Sequence, residues 1–353
     1  MGTYINTKDV LGEQATLDAL IDHSLTDYTD SDIFQLGNYA FYNNDQIETI
    51  TLPYLQQIRN NSFDSCINLK QLRVSLELNS VCNLSGNGGI SNIGRCIIFV
   101  PPNLVSQYRN ASNWSQYAYR IYGDGDQSAP IWNESEIIDS DSDIISRINN
   151  GTACNYYKPG QYKSIDFGSL GMLRMQIIGF NSDELSDGTG TAQLTWLLMD
   201  DLGTRRMNPQ ANNNYDEGTG AIGGWDKSEM KSYLYNDVWP TIPNEWKNVI
   251  KEVKKYSRII DSSNTITNNV LSYEKIWLPS VRELLNNNPS SYETIGAQYN
   301  LCFAHDQTRI KNNSIYWTRS INNRNNFYEI ASNGSVAYNS SEREHHFYFG
   351  FCT

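Results

Sequence analysis

The residue types best suited to catalysis or metal binding come together near the C-terminal end of the chain. Glu342, Glu344, His345 and His346 place two carboxylates and two imidazoles within five positions. These groups serve general acid–base catalysis and zinc binding. Adjacent side chains of a strand point to opposite faces, so the two histidines would chelate poorly, and no H-E-x-x-H spacing is present. We therefore expect these residues to make surface contacts and not to hold a metal.

Other titratable pairs lack the third member that a triad or a metal site requires. The acidic pairs among them could hold a hard cation, but no D-x-[DN]-x-[DN]-G loop accompanies them. Glycine-rich stretches at 86–89 and 188–190 do not lead into the GK[ST] of a phosphate loop and predict turns. The sequence thus predicts no enzymatic activity, no cofactor and no metal. The pairs are Asp22 with His23, His305 with Asp306, Asp183 with Glu184, and Asp200 with Asp201.

The composition argues against several classes of partner. The 353 residues carry a formal net charge of -12, which opposes binding to a phosphate backbone. No stretch approaches the roughly 20 apolar residues that span a bilayer. Residues 1–10 lack the basic and apolar regions of a secretory signal. Six cysteines without a C-x-x-C pair indicate buried thiols and synthesis in a reduced cytoplasm. We expect no nucleic-acid partner and no membrane insertion.

The N-terminal part contains an internal repeat of about 22 residues, within the range of leucine-rich repeats. This spacing predicts a solenoid in which each turn buries its apolar face against its neighbours. Residues 20–25 and 33 read as a degenerate first turn, and residues 81–122 as a strand followed by a capping helix. The aligned positions are Leu36 with Ile58, Phe41 with Phe63, Asn44 with Cys66, Ile47 with Leu69, Ile50 with Leu72, and Leu52 with Val74.

The segment from Leu36 to Asn44, followed by Ile50, Thr51, Leu52 and Pro53, resembles the repeat of the BspA-type leucine-rich-repeat family. That family is common in bacterial surface proteins and in phage tail-associated proteins. The resemblance implies a repeat domain over residues 1–122 that contacts other tail or surface proteins or acts as a spacer.

An acidic stretch rich in Gly, Ser and Pro, residues 123–143, predicts a linker before a second domain at 144–353. Strand-like runs at 172–180 and 194–199 alternate with helical runs at 228–235 and 243–253. This irregular mixture indicates an α+β fold. The expected fold class is therefore an α+β multidomain protein.

Three further segments carry a second resemblance. They begin with the runs G-G-W-D-K-S-E-M at 223–230, K-I-W-L-P-S at 275–280 and Y-W-T-R-S at 316–320, and the chain ends in F-G-F-C at 349–352. Their order resembles that of a bacterial and phage domain family of unknown function with a fold like C-type lectins and formylglycine-generating enzymes. The resemblance implies a C-type-lectin-like binding domain. Calcium-binding lectin motifs and the oxidase cysteine pair are absent from the sequence.

Residues 322–348 have the composition of a binding surface, dense in Asn, Tyr, Ser, Arg and His. Rigid Tyr and adaptable polar side chains contact sugars or protein epitopes, and Arg binds carboxylates through two hydrogen bonds. The segment also resembles the variable region of proteins diversified by diversity-generating retroelements, although an Asn-rich loop from an A+T-rich genome explains the composition equally well. The candidate ligand-binding residues are Asn322, Arg324, Asn326, Tyr328, Tyr338, Ser340, Arg343, His345, His346 and Tyr348.

These observations lead to the hypothesis of a phage or prophage tail-associated receptor-binding protein that contacts a glycan or protein on the host surface. Its expected location is the virion tail. The alternatives are a bacterial cell-surface adhesin and a carbohydrate-active enzyme. The sequence leaves homo-oligomer formation open, since no heptad pattern indicates a coiled coil.

Overall fold

Strands and short helices are mixed along the described chain, which confirms the predicted α+β class. The computed structural model describes residues 25–86, 90, 93–210, 216–285, 292–303 and 306–353. Most of the predicted first turn at 20–25 lies outside these ranges, as do Asp22, His23 and His305. Within the described residues, no helix has the length and apolar character needed to cross a membrane.

The chain divides into two units, residues 1–132 and 133–353, and this division falls inside the predicted linker. The segment without regular elements is shorter than the sequence predicts, because residue 123 ends a strand and residue 141 begins a helix. Ser140 caps that helix by accepting a hydrogen bond from the Asp143 amide at 3.2 Å. The serines and aspartates that read as linker therefore include a helix start.

The described part of the first unit contains two parallel sheets, and strands β1 to β7 belong alternately to one and the other. One has the strand order β1-β3-β5-β7-β8 and the other β2-β4-β6. The strands are β1 (Asp27–Thr29), β2 (Gln35–Leu36), β3 (Thr49–Leu52), β4 (Gln57–Ile58), β5 (Gln71–Val74), β6 (Asn83–Leu84), β7 (Ile97–Val100) and β8 (Ile121–Gly123).

The spacing of the apolar residues sets the register of these sheets. Ile50 pairs with Leu72, which lies 22 positions later, and both side chains are fully buried. Leu36 pairs with Ile58 at the same offset in the second sheet. Each strand therefore pairs edge to edge with the equivalent strand of the next turn, and alternate residues such as Ile50 and Leu52 point into the core.

The turns between strands also stack. The rings of Phe41 and Phe63 lie 5.3 Å apart and nearly parallel. The Cys66 thiol donates to the Phe41 carbonyl at 2.9 Å, so a buried cysteine links one turn to the next. Burial raises the pKa of this thiol to about 12, and the group is neutral at ordinary pH. The interpretation of Cys66 as a buried thiol is confirmed.

Helical segments cover the last turns of the first unit. They are the 3-10 helix Pro102–Leu104, helix α1 (Val105–Asn110) and the 3-10 helix Ser115–Arg120. The Tyr108 hydroxyl accepts a hydrogen bond from the Cys82 amide at 2.9 Å, and the Trp114 indole donates to the Cys82 carbonyl at 2.7 Å. Both aromatic side chains are buried, and they give the backbone amide and carbonyl of Cys82 the hydrogen-bond partners that a buried peptide group needs.

The second unit combines three sheets with short helices in its described residues. The sheets have the orders β19-β11-β10-β9, β12-β18-β15-β16-β17 and β13-β14. The strands are β9 (Tyr162–Asp166), β10 (Met172–Phe180), β11 (Leu194–Leu198), β12 (Thr204–Arg205), β13 (Val253–Ile260), β14 (Ile266–Glu274), β15 (Tyr316–Asn323), β16 (Asn326–Ile330), β17 (Val336–Ser340), β18 (His345–His346) and β19 (Gly350–Cys352).

The helices of this unit are short. They are α2 (Asp141–Asn149), α3 (Ala153–Tyr156), α4 (Glu229–Tyr233), α5 (Asn244–Lys247), α6 (Val281–Leu284) and α7 (Asp306–Arg309), with 3-10 turns at Gly168–Leu170, Trp225–Lys227 and Trp239–Thr241 and a π-helical turn at Leu234–Val238. The predicted helix at 243–253 is only one turn long. It ends at residue 247, and residue 253 already begins β13. The predicted strand at 172–180 is confirmed with its bounds.

Five fully buried tryptophans fill the core of the second unit: Trp196, Trp225, Trp246, Trp277 and Trp317. The last strand, β19, pairs antiparallel with β11, and the Trp196 indole donates to the Thr353 hydroxyl at 3.0 Å. Residues at the C-terminal end are therefore part of the core of this unit.

Candidate ligand-binding site

The candidate segment 322–348 supplies β16 and β17 on one side of β15 and β18 on the other, in the sheet β12-β18-β15-β16-β17. Strands β16 and β17 make a hairpin in which Asn326 pairs with Ser340 and Tyr328 pairs with Tyr338. The segment then returns through β18, where His345 pairs with Arg205 and His346 pairs with Thr204 of β12. The fold thus brings the end of the segment to residues that lie about 140 positions earlier.

The candidate residues divide by exposure. Tyr338 and Arg343 are exposed, and Tyr338 keeps 57% of its surface open. Half-buried positions are Asn322, Arg324, Asn326, Ser340, His345 and His346. Tyr328 and Tyr348 are buried.

The buried positions require a correction to the candidate set. Tyr348 has no exposed surface, because its ring packs edge-on against Tyr316 at 5.2 Å and its hydroxyl lies 3.2 Å from the Ser314 hydroxyl. Burial raises the pKa of the Tyr348 hydroxyl. This residue belongs to the framework of the sheet and cannot touch a ligand at the surface.

Tyr328 also lies mostly inside, with 8% of its surface exposed. Its ring contacts Tyr292 at 5.0 Å and Tyr338 at 6.4 Å, both at steep angles typical of aromatic pairs. Tyr338 is thus supported from below by Tyr328. This ring contact holds the exposed face of Tyr338 in place.

The two histidines diverge, as the sequence predicts. His345 Nε2 lies 2.9 Å from Glu329 Oε2 and its ring packs on Trp317 at 4.6 Å. His346 Nδ1 lies 2.7 Å from Asp201 Oδ1. Because their partners lie on different segments, the two rings do not converge on one point. No group of three or more metal-ligating side chains occurs in the described residues.

An open groove lies between β12, α4 and the approach to β18. Its volume is about 490 Å³, and we call it the polar groove. The Arg205 guanidinium carbon lies 3.5 Å from the centroid of the Tyr233 ring, a close cation–π contact. The groove is lined by Leu202, Gly203, Thr204, Arg205, Arg206, Glu229, Tyr233 and Glu344.

Local contacts fix the walls of the polar groove. Ser228 caps α4 by accepting from the Lys231 amide at 3.0 Å, and the Glu229 amide donates to Asn208 Oδ1 at 2.8 Å. Arg206 forms an ion pair with Glu229 at 2.9 Å. Arg205 is exposed although its guanidinium lies against the Tyr233 ring.

The sequence did not predict a buried ionic network that includes Arg319 on β15. Lys255 Nζ lies 2.6 Å from Asp183 and 2.8 Å from Glu283, and Arg319 Nη1 lies 2.6 Å from Glu283. The Tyr299 hydroxyl donates to Asp183 at 3.0 Å. All five side chains are almost fully buried. The network ties β13, α6 and β15 together.

The opposite charges inside the network set the direction in which the pKa values of Glu283 and Lys255 shift. Burial alone would raise the pKa of Glu283, but Arg319 and Lys255 outweigh it and lower this pKa to about 2. Burial alone would lower the pKa of Lys255, but Asp183 and Glu283 raise it overall. A network this deep cannot meet a substrate, so we interpret it as structural.

Signals for this network were present in the sequence. Arg319 lies in the run Y-W-T-R-S, and Glu283 follows K-I-W-L-P-S by three residues. The ring centroid of Trp277, a residue of the latter run, lies 3.4 Å from Lys255 Nζ. Arg319 and Trp277 of these two segments are therefore core residues of the unit, whereas Glu229, in G-G-W-D-K-S-E-M, lines the polar groove.

The acidic pairs also have protein partners. Asp183 belongs to the buried network, and Glu184 forms an ion pair with Lys254. Asp200 accepts from the Arg174 guanidinium at 2.6 Å, and Asp201 contacts His346. These carboxylates are therefore engaged by side chains of the chain itself.

Comparison with known proteins gives one match. Residues 193–346 are similar to a family described as a domain of unknown function (DUF6273). The DUF6273 match begins one residue before β11 and ends with β18, so it includes the polar groove and most of the ionic network. No curated protein and no solved structure matches the chain.

Proposed function

We propose that this chain is a non-enzymatic recognition protein whose second unit binds a carboxylate-bearing saccharide on a host-cell surface. The observation that carries the proposal is Arg205, exposed in the polar groove and held 3.5 Å over the Tyr233 ring. Stacked Arg presents its N–H fork in a fixed orientation, which suits bidentate hydrogen bonding to a carboxylate.

The setting of Arg205 supports this chemistry. The Tyr233 ring packs edge-on against the buried Phe347 at 5.7 Å, so the platform under the guanidinium is rigid. Glu229 is already engaged by Arg206, so the exposed Glu344 is the other carboxylate of the lining that an anionic ligand would meet near Arg205. A pre-organised cation loses little conformational entropy when a ligand binds.

Further polar residues lie beside the groove. Arg343 is exposed just before β18, and the half-buried His345 and His346 of β18 pair with β12. Tyr338 offers an exposed ring on β17, at the opposite edge of the same sheet. A ligand larger than one sugar would first meet Arg343 and the two histidines. The set resembles the surfaces of binding proteins, in which a few rigid aromatics are mixed with adaptable polar groups.

The finer fold assignments belong to the same proposal. The parallel strands with an offset of 22 residues support a short leucine-rich-repeat solenoid of the BspA type in the first unit. The mixed sheets and short helices of the second unit are compatible with a C-type-lectin-like domain. In this proposal the protein is a phage or prophage tail component, and the first unit contacts its neighbours in the tail.

Binding of the purified chain to an array of sialic-acid- and uronic-acid-containing oligosaccharides, with neutral counterparts, tests the proposal. We expect acidic ligands to bind and Arg205→Ala to weaken them about tenfold or more, the loss of a charge-assisted hydrogen bond. Arg205→Lys keeps the charge but loses the fork, and should also bind weakly. Lys227→Ala, which removes an exposed charge outside the groove, is the control.

Equal binding by Arg205→Ala and the unchanged chain contradicts the assignment of this groove. Absence of binding to every acidic saccharide contradicts the ligand class. Binding to host cells that persists after their surface glycans are removed enzymatically would redirect the proposal to a protein receptor.

A further inference from the structure

A second groove lies on the other side of α4. Its volume is about 460 Å³, and we call it the aromatic groove. Glu229 and Tyr233 line the polar groove, whereas Lys231 and Tyr235 line this one. The alternation follows from helical geometry, since residues four apart share a face. The aromatic groove is lined by Lys231, Tyr235, Trp239, Glu252, Tyr273 and Lys275.

A buried carboxylate holds two of the side chains that line the aromatic groove. Glu274 has no exposed surface and accepts from the Trp225 indole at 3.0 Å, the Lys231 ammonium at 2.6 Å and the Tyr235 hydroxyl at 2.9 Å. The Tyr235 hydroxyl in turn accepts from the Lys275 amide at 3.1 Å. These bonds fix Lys231 and Tyr235 in the wall of the groove before any ligand arrives.

A π-helical turn builds the aromatic wall. Residues Leu234–Val238 form this turn directly after α4, and it carries Tyr235 and leads to Trp239. Wider π-helical turns are uncommon and occur frequently at functional sites. Here the turn directs two aromatic side chains, four positions apart, into one groove.

The open surface of the groove is aromatic with charged ends. Tyr273 on β14 keeps 51% of its surface exposed, and Trp239 is half-buried. The Lys275 ammonium lies 5.9 Å from the centroid of the Trp239 ring, and the exposed Glu252 lines the same groove. Lys231 is already bound by Asp226 and Glu274, so its charge is neutralised locally.

We propose that the aromatic groove binds an uncharged pyranose. The C–H face of such a ring packs on aromatic side chains, which combine apolar surface with polar edges. Its hydroxyls both donate and accept, so the carboxylate of Glu252 and the ammonium of Lys275 can each bind one. Their opposite charges favour neither an anionic nor a cationic ligand. This site is separate from the polar groove and does not depend on the acidic ligand proposed there.

Titration of the full chain with a panel of neutral hexose and N-acetylhexosamine oligosaccharides, followed by calorimetry and tryptophan fluorescence, tests this inference. We expect Tyr273→Ala to weaken binding of a neutral saccharide about tenfold, the loss of one aromatic contact. Trp239→Phe should weaken binding less and remove the fluorescence change. Tyr156→Ala, at another exposed tyrosine outside both grooves, should bind as the unchanged chain does.

Two results overturn the inference: no neutral saccharide of the panel binds, or Tyr273→Ala binds as tightly as the unchanged chain. Arg205→Ala separates the two sites, because it should weaken acidic ligands and leave neutral ones unaffected. Loss of both ligand classes in Arg205→Ala would show one shared site and contradict the second groove.

Discussion

Arg319 and Lys255 divide the two oxygens of one buried carboxylate between them. Arg319 Nη1 lies 2.6 Å from Glu283 Oε2, and Lys255 Nζ lies 2.8 Å from Glu283 Oε1. Glu283 also accepts from the Ser280 amide at 2.8 Å as part of the capping box of α6. One carboxylate therefore satisfies two buried cations and a helix start.

Replacement of Glu283 by Gln should destabilise the second unit by about 3–5 kcal/mol, since it leaves the buried Arg319 without its ion-pair partner while Lys255 keeps only Asp183. Urea unfolding followed by tryptophan fluorescence measures the loss. The control is Glu217→Gln, which removes an exposed ion pair with Lys227 and should cost less than about 1 kcal/mol. A Glu283→Gln midpoint close to that of the control would contradict the structural role of the network.

Lowering the pH should reduce the free energy of unfolding of the second unit over a defined pH range. The ordinary pKa of a glutamate, 4.5, is lowered to about 2 at Glu283. The folded state then holds fewer protons, so the ion pairs contribute fully above the ordinary pKa, and the contribution falls as pH drops towards 2. Urea midpoints between pH 6 and pH 2 should decline for the unchanged chain. The decline should be shallower in Glu283→Gln, and equal slopes would contradict this assignment.

The cysteines should differ sharply in reactivity. Cys154 is half-buried, whereas the other five are buried, and all six are free thiols. Burial raises the pKa of Cys82 and Cys96 to about 12, which leaves almost no thiolate at neutral pH. Reaction of the native chain with a thiol-specific disulfide reagent at pH 8 should modify Cys154 first. The other five thiols should react only after the chain is denatured. Cys154→Ser should abolish the native reaction, and persistence of the reaction would place another thiol at the surface.

Gly350 should not tolerate a side chain. A Cβ at this position would lie 2.7 Å from the Trp196 carbonyl oxygen and 2.7 Å from the Trp277 ring. Gly350→Ala should therefore cost at least about 1–3 kcal/mol through overpacking, as measured by thermal unfolding. Gly86→Ala is the matched control, because the nearest atoms there are 3.6 Å away. Similar melting temperatures for the two variants would contradict the tight packing of β19.

The strand pairing of the first unit could be predicted from the sequence because its strands pair with close neighbours along the chain. Ile50 and Leu72 align in the sequence at the offset at which they pair in the sheet, so the apolar spacing carries the register directly. The same reasoning places Phe41 on Phe63. In the second unit, Lys255 and Asp183 are 72 positions apart, and no periodicity links them.

The candidate site was only partly readable for the same reason. Composition identifies residues 322–348 as rich in contact-forming side chains, but it cannot tell which face of a strand each one occupies. Tyr348 and Tyr338 are the same residue type in the same segment, yet one is buried and the other exposed. The polar groove needs Arg205 and Tyr233, which meet only through the packing of β12 against α4.

The pairing of β19 with β11 bears on how the chain folds during synthesis. Trp196 and its hydrogen-bond partner Thr353 are separated by 157 positions, so the core of the second unit stays incomplete until residue 353 has left the ribosome. At about 5–20 residues per second, this interval lasts on the order of ten seconds. The first unit, whose strands pair with close neighbours, can fold during that time.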